Sequence, residues 1–169
     1  MIHPVLRLLK HRRLDEADAL RMVGADAMQR IQARVAASET HHSGEIRVCV
    51  EAGLPWSYLR RHASARERAV AMFGKLRVWD TEHNNGVLVY LLLAEHAIEV
   101  VADRGLSQHV DAAQWRAITA TMAAAFSAGQ FEAGLNQAVD AVDALLKEHF
   151  PLAPGEVNPN ELPDEPDLR

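Results

Sequence analysis

The sequence predicts an α/β fold in which a short mixed β-sheet carries helices on both faces, a three-layer α/β/α sandwich. Two apolar runs, 87–93 and 97–102, are separated by three residues, which is typical of a hairpin of two buried antiparallel strands. Residues 45–51 alternate apolar and polar side chains with the period of two that marks a strand with one drier face. Stretches before, between and after these strands repeat apolar residues at helical spacing, so helices must cover the sheet.

The helices are placed by their apolar stripes and their caps. The first covers residues 25–37, ahead of the first strand. Ser57 is the expected cap of a second helix that runs to Leu76, with Arg68 on its charged outer side. Asp111 resembles the start of a capping box at the head of a third helix, and residues 131–150 form a fourth.

Three regions follow along the chain. Residues 1–24 are expected to form an N-terminal amphipathic helical segment, and residues 25–150 to form the α/β domain. Residues 151–169 hold five of the seven prolines together with several acidic residues. Such a composition buries too little apolar surface to order itself, so this stretch is predicted to be a disordered tail.

Composition and charge exclude several classes of protein. The chain has 169 residues, of which 49% are hydrophobic and 24% charged, as expected of a globular domain. A formal net charge of -5 argues against nucleic-acid binding, which needs clustered Lys and Arg. The single cysteine, Cys49, excludes an internal disulfide and a CxxC metal or redox pair.

No transmembrane span and no signal peptide is expected. Basic residues interrupt the apolar run at residues 1–14 too early for export, and the longest apolar run, 87–94, is far shorter than the roughly 20 residues of a membrane helix. A cytoplasmic location is therefore the default. The basic and apolar N-terminus leaves two alternatives open, a short helix packed on the domain and a peripheral contact with an anionic membrane.

The loop at residues 80–86 is the first candidate site. It places carboxylate and amide oxygens directly before a central strand, and such oxygens are the ligands that calcium and magnesium prefer. The candidate metal ligands in this loop are Asp80, Glu82, Asn84 and Asn85. The alternative is that the Asn-Gly pair simply forms a turn.

A second polar stretch follows the third strand. Asp103 is a further candidate metal ligand, and Arg104, His109 and Asp111 are candidate contacts to another ligand. If the two apolar strands form a hairpin, this stretch and the first loop lie at the same end of the sheet. The alternative is a structural role, in which Asp103 pairs with Arg104 or with a helix end.

Several blocks of the chain resemble the TPM domain family. They are residues 44–48, 84–89 and 98–100, followed by a closing pair of helices around residues 126–135, and the likeness covers residues 25–150. The resemblance implies an α/β/α sandwich. Some members of that family have been credited with divalent-metal binding or weak acid phosphatase activity, and others with maintaining membrane complexes.

The resemblance also implies which residues of this chain carry the family's loops. The acidic and amide loop of the family falls on the four candidates between Asp80 and Asn85. Its glycine turn after the third strand falls on Asp103, Arg104 and Gly105.

Three functional hypotheses follow. The leading one is a non-catalytic binding or assembly module that uses these loops, with calcium or magnesium as a candidate ligand and an unidentified protein as a candidate partner. It rests on clustered polar loops without a recognisable nucleophile and base. The second is a metal-assisted phosphatase in which Asp80, Glu82 and Asp103 hold a cation and Arg104 steadies the phosphate. The third is a peripheral membrane protein held by residues 1–14.

Overall fold

The computed structural model describes residues 4–169 of the chain, with side chains from residue 6 onward. Residues 1–3 of the predicted N-terminal segment lie outside the described residues. The helices and strands of the described part are, in chain order, α1 (Pro4–Arg12), α2 (Glu16–Val23), α3 (Ala25–Glu39), β1 (Glu45–Glu51), α4 (Trp56–Arg60), α5 (Ala65–Lys75), β2 (Gly86–Leu92), β3 (Ala97–Ala102), α6 (Arg104–Ser107), α7 (Ala112–Ser127), α8 (Phe131–His149) and β4 (Asp167–Leu168).

The strands form one mixed sheet in the order β3-β2-β1-β4. β1 pairs in parallel with both β2 and β4, whereas β3 runs antiparallel to β2 as the predicted hairpin requires. One face of the sheet packs on α2, α3, α7 and α8, and the other packs on α4 and α5. The predicted α/β sandwich with helices on both faces is confirmed.

β1 is buried on both faces, although its alternating sequence predicts one drier face. All seven residues from Glu45 to Glu51 are buried. The polar members of the strand lie on the face covered by α5 and by the C-terminal segment, residues 151–169. Each of them must therefore find a partner inside the protein.

The predicted second helix is two helices, α4 and α5, and Ser57 is not its cap. His62 adopts a left-handed conformation (φ 55°) between them. Ser64 then begins α5 with a capping box: its side chain accepts from the Glu67 N–H at 3.1 Å, and its own N–H donates to Glu67 Oε1 at 3.1 Å. Ser64 thereby supplies a partner for a main-chain N–H group that the break between α4 and α5 leaves without a helical acceptor.

Arg68 is buried, although its place in the predicted helix puts it on the charged outer side. Its Nη2 donates to Glu51 Oε1 at 2.6 Å and its Nε donates to Glu51 Oε2 at 2.8 Å. The Tyr90 hydroxyl donates to the same carboxylate at 2.5 Å. Burial, and then the charge of Glu51, raise the pKa of Tyr90, so the tyrosine stays protonated as a donor. The ion pair between Arg68 and Glu51 therefore connects α5 to β1.

The C-terminal segment packs against the sheet, although its composition predicts disorder. β4 pairs with β1, and the Ala52 N–H donates to the Arg169 carbonyl at 2.7 Å. Arg47 donates to the carbonyls of Pro163 (2.7 Å) and Glu165. Leu162 is only 6% exposed. The segment has few apolar side chains of its own, but the open edge of β1 and the buried Arg47 supply partners that its composition does not reveal.

The N-terminal segment forms two helices, α1 and α2, packed on the rest of the chain. Arg7 Nη2 donates to the Ala63 carbonyl at 2.8 Å, and the buried His11 accepts from the Leu54 N–H at 2.9 Å. None of the described helices combines the length and the apolarity that crossing a bilayer demands.

Replacing the buried Leu162 by alanine tests whether the C-terminal segment contributes to the fold. We expect Leu162→Ala to lower the free energy of unfolding by about 2 kcal/mol or more, because it leaves a cavity in the packed segment. The measurement is urea unfolding of the full chain. The control is Val157→Ala in the same segment, where the side chain is 85% exposed and little change is expected. Equal midpoints for the two variants would contradict the packing.

Removing the buried guanidinium tests the contact between α5 and β1. We expect Arg68→Met to cost about 3–5 kcal/mol of unfolding free energy, because the carboxylate of Glu51 would remain buried without its charged partner. Arg116→Met, at an exposed position on α7, should change stability by less than about 0.5 kcal/mol. A cost below about 1 kcal/mol for Arg68→Met would show that Glu51 does not depend on this arginine.

Candidate functional site

The two polar loops meet at one end of the sheet. Because β2 and β3 are antiparallel, the loop before β2 and the loop after β3 lie at the same edge. The Asp103 N–H donates to the Gly86 carbonyl at 2.9 Å, and the Gly105 N–H donates to the Asn84 carbonyl at 2.8 Å. A Cβ atom at residue 105 would lie 2.5 Å from that carbonyl oxygen, so only glycine allows this approach.

A cleft of about 530 Å³ opens where the loops meet. Arg104 Nη2 lies 3.5 Å from Asn84 Oδ1 across it, and the Gln108 side-chain amide donates to the Arg104 carbonyl at 3.0 Å. The lining residues provide a guanidinium, an imidazole, amides and a hydroxyl, with no carboxylate among those described: His83, Asn84, Arg104, Gly105, Ser107 and Gln108. The cleft is therefore suited to an acceptor-rich ligand.

The two candidate carboxylates of the first loop lie outside the cleft. Asp80 and Glu82 are exposed, and neither lines the cleft. The Glu82 N–H donates to the carboxylate of Glu161 at 3.1 Å, so an acidic residue of the C-terminal segment lies against this loop. Sequence patterns could not reveal this neighbour, since 79 residues separate the two.

Asn85 and Asp103 are buried, and each has structural contacts. The Asn85 side-chain amide donates to the Ser43 carbonyl at 3.1 Å, and its main-chain N–H donates to Thr81 Oγ1 at 3.1 Å. Asp103 Oδ1 accepts from the Arg104 N–H at 2.7 Å and caps α6. Among the described residues, the amide oxygen of Asn85 (Oδ1) and the second carboxylate oxygen of Asp103 (Oδ2) are buried without a hydrogen-bond partner.

The two remaining candidates, His109 and Asp111, lie beyond the cleft. Asp111 Oδ1 accepts from the N–H groups of Ala113 and Gln114, both at 2.8 Å, and so caps α7. His109 stacks on His149 at 4.7 Å between ring centroids. Their contacts belong to the packing of α7 and α8.

The described residues do not form a ready-made cation site. Among them, no group of three or more His, Cys, Asp or Glu side chains is arranged to hold a metal ion. Calcium takes about 6–8 oxygen ligands, whereas the two unpartnered oxygens belong to only two of the five candidates. Binding of calcium or magnesium therefore stays a prediction.

Buried polar residues that were not predicted lie at the same end of the sheet. His42 is fully buried; its ring lies 3.0 Å from the Gly44 carbonyl and 3.5 Å from Asp143. Burial lowers the pKa of His42, which favours the neutral ring. Glu39 accepts from the Ile46 N–H at 2.9 Å, and Glu45 accepts from a main-chain N–H of the C-terminal segment at 3.1 Å. A helical or strand pattern gives no signal for such burial.

The pH dependence of the unfolding free energy tests the burial of Glu39 at this end of the sheet. Burial raises its pKa from 4.5 to about 9, so the folded chain holds a proton that the unfolded chain releases. The stability that depends on this proton is fully present below about pH 4.5 and is lost as the pH rises towards 9. Glu39→Gln keeps an acceptor for Ile46 and cannot ionise. We expect the variant to exceed the parent in unfolding free energy at alkaline pH but not at acid pH.

The measurement is urea unfolding of both chains across this pH range. Glu148→Gln, at an exposed acidic position on α8, is the matched control and should follow the parent chain. Parallel pH profiles for Glu39→Gln and the parent would contradict the burial of a protonated carboxyl group.

Comparisons with known proteins agree with this architecture. The model of the TPM domain matches residues 15–145. A solved structure with a similar fold is the NMR structure of the BA42 protein from the psychrophilic bacterium Bizionia argentinensis, with a TM-score of 0.72 and 24% sequence identity. The alignment covers 85% of this chain and 92% of that one, and at this identity it shows the fold alone. No curated protein matches the chain.

Proposed function

This chain belongs to the TPM domain family, and we propose that it is a non-catalytic binding module whose ligand occupies the cleft between the loops before β2 and after β3. The observation that carries the proposal is the main-chain hydrogen bond from Gly105 to Asn84, which holds the two loops together. A site formed by main-chain contacts is preorganised, so little ordering is needed when a ligand binds.

The donors of the cleft favour a ligand that carries an anionic group, such as a phosphate or a carboxylate. Arg104 is exposed, and the described salt bridges do not include it. A free guanidinium forms paired, charge-assisted hydrogen bonds with planar or tetrahedral oxyanions. The amides of Asn84 and Gln108 and the ring of His83 add neutral or titratable donors around it.

The hydrogen bond made by the Ser107 hydroxyl favours a binding role for the cleft over nucleophilic catalysis. Ser107 Oγ donates to the Ala102 carbonyl at 3.0 Å, so its proton is held by the main chain and not by a general base. The chemistry supported by these contacts is recognition of an oxyanion.

One observation favours a second candidate, the metal-assisted phosphatase. Asn85 Oδ1 and Asp103 Oδ2 are buried without partners among the described residues, and they belong to the residues next to Asn84 and Arg104 in the chain. Unpaired buried oxygens cost free energy, and a divalent cation is one group that removes that cost. In this alternative the cation would polarise a phosphoryl oxygen and Arg104 would contact the phosphate.

Calorimetric titration of the full chain with inorganic phosphate tests the leading proposal. We expect saturable binding without added metal, weakened about tenfold or more in Arg104→Ala, because a charge-assisted hydrogen bond contributes about 1.5–3 kcal/mol. Arg116→Ala removes an exposed arginine outside the cleft and should leave the affinity unchanged. Absence of binding to the parent chain, or equal loss in both variants, would overturn the proposal.

The same chain, stripped of metal, separates the two candidates. Titration with calcium and with magnesium is repeated on Asp103→Asn, which keeps the acceptor for the Arg104 N–H but loses the charge. Two results together would favour the phosphatase over the binding module. They are metal binding that is lost in Asp103→Asn and metal-dependent hydrolysis of a phosphate ester by the parent chain. Phosphate binding that Asp103→Asn leaves intact supports the module.

A further inference from the structure

The exposed sides of α1 and α4 mix large apolar and basic residues. On α1, Leu6 and Leu9 are 61% and 48% exposed, and the helical spacing places Lys10 on the same side. On α4, Trp56 is 58% exposed, with the exposed Arg60 one turn further on. We define the basic–apolar surface by six exposed residues: Leu6, Leu9, Lys10, Arg12, Trp56 and Arg60.

Contacts on the inner side of α1 hold the two helices next to each other. Arg7 reaches the Ala63 carbonyl, just beyond α4, and His11 accepts from the Leu54 N–H, just before it. Arg7 and His11 also contact Glu95, at 2.7 and 3.0 Å. Arg12 and Trp56 line one hollow of about 360 Å³ together with Leu54 and Leu59, so the outer sides of the helices form a continuous surface.

The charge on this surface is opposite to that of the chain as a whole. The chain carries a net charge of -5, yet the polar members of the basic–apolar surface are all cations, and the exposed Arg13 lies next to them. Arg61, which follows α4, is paired with Glu67 at 2.6 Å. The nearby carboxylate of Glu95 faces the inner side of α1, where Arg7 and His11 engage it. The exposed charge of this surface is therefore positive, and the nearby negative charge is bound on the inner side of α1.

We propose that the basic–apolar surface docks on an anionic phospholipid bilayer. Leu6, Leu9 and Trp56 enter the boundary between headgroups and acyl chains, where exposed leucine and tryptophan side chains lose water. Lys10, Arg12 and Arg60 contact the lipid phosphates. The charge argues against a second copy of this chain as the occupant, because twofold pairing through this surface would bring like charges together.

Sedimentation of the full chain with vesicles tests the proposal. We expect binding to phosphatidylcholine vesicles that contain about one-third phosphatidylglycerol, weak binding to phosphatidylcholine alone, and loss of binding as salt rises from about 0.05 M to 0.5 M. In Lys10→Glu/Arg60→Glu the partition coefficient should fall by at least about 25-fold, since each basic residue contributes about fivefold near an anionic surface.

A matched charge change shows whether the effect is local. Lys75→Glu/Arg116→Glu alters two exposed basic residues on α5 and α7 and gives the same net charge. This control should sediment with the vesicles much as the parent chain does. Equal loss in the two double variants would overturn the assignment to this surface, as would equal binding of the parent to vesicles with and without phosphatidylglycerol.

Tryptophan fluorescence supplies a second readout. Trp56 and Trp79 are both exposed, at 58% and 51%, and only Trp56 belongs to the surface. Vesicles should shift the emission of the parent and of Trp79→Phe to the blue, but not that of Trp56→Phe. Absence of the shift in Trp79→Phe would overturn the proposal. So would a self-association in vesicle-free solution that Lys10→Glu/Arg60→Glu abolishes, because the occupant would then be a second copy.

Discussion

The burial of β1 on both faces and along both edges constrains the rest of the molecule. β2 pairs with it along its length and β4 at Cys49 and Val50, and both of its faces are covered. Its polar side chains are therefore buried and must bond inside the protein. Three of them do so with two distant parts of the chain. Glu45 accepts from the Leu162 N–H, Arg47 donates to carbonyls of the C-terminal segment, and Glu51 accepts from α5. One face of one strand thereby positions α5 and the end of the C-terminal segment, from Leu162 onward.

The two ends of β1 use this constraint in different ways. At its C-terminal end, the side chain of Glu51 accepts hydrogen bonds from an arginine and a tyrosine. At its N-terminal end, Glu45 and the nearby Glu39 accept from main-chain N–H groups, and burial raises the pKa of both carboxyl groups. Buried carboxyl groups of raised pKa therefore lie at the end of the sheet that carries the cleft.

The sequence predicts the parts of this architecture that depend on local periodicity. The hairpin strands, expected at 87–93 and 97–102, form at Gly86–Leu92 and Ala97–Ala102, because their apolar runs are continuous and the turn between them is short. The meeting of the two polar loops follows from the same hairpin. The packing of the C-terminal segment and the burial of Arg68 depend on partners, Arg47 and Glu51, that lie outside the local sequence pattern, and composition or helical spacing carries no information about them. For the same reason the cleft shares only two residues, Asn84 and Arg104, with the candidate set.

The direction of the strands separates the two surfaces that carry the proposals. The cleft lies where β2 begins, whereas α1 contacts Leu54 and Glu95, which follow the C-terminal ends of β1 and β2. Seven residues of strand at about 3.3 Å each put more than about 20 Å between these ends. The basic–apolar surface and the cleft therefore lie near opposite ends of the strands, and docking through the one does not use the residues of the other. Since exposed charges that far apart are screened from each other at physiological salt, a bound anion at one end and anionic lipid at the other would not compete for the same positive charge.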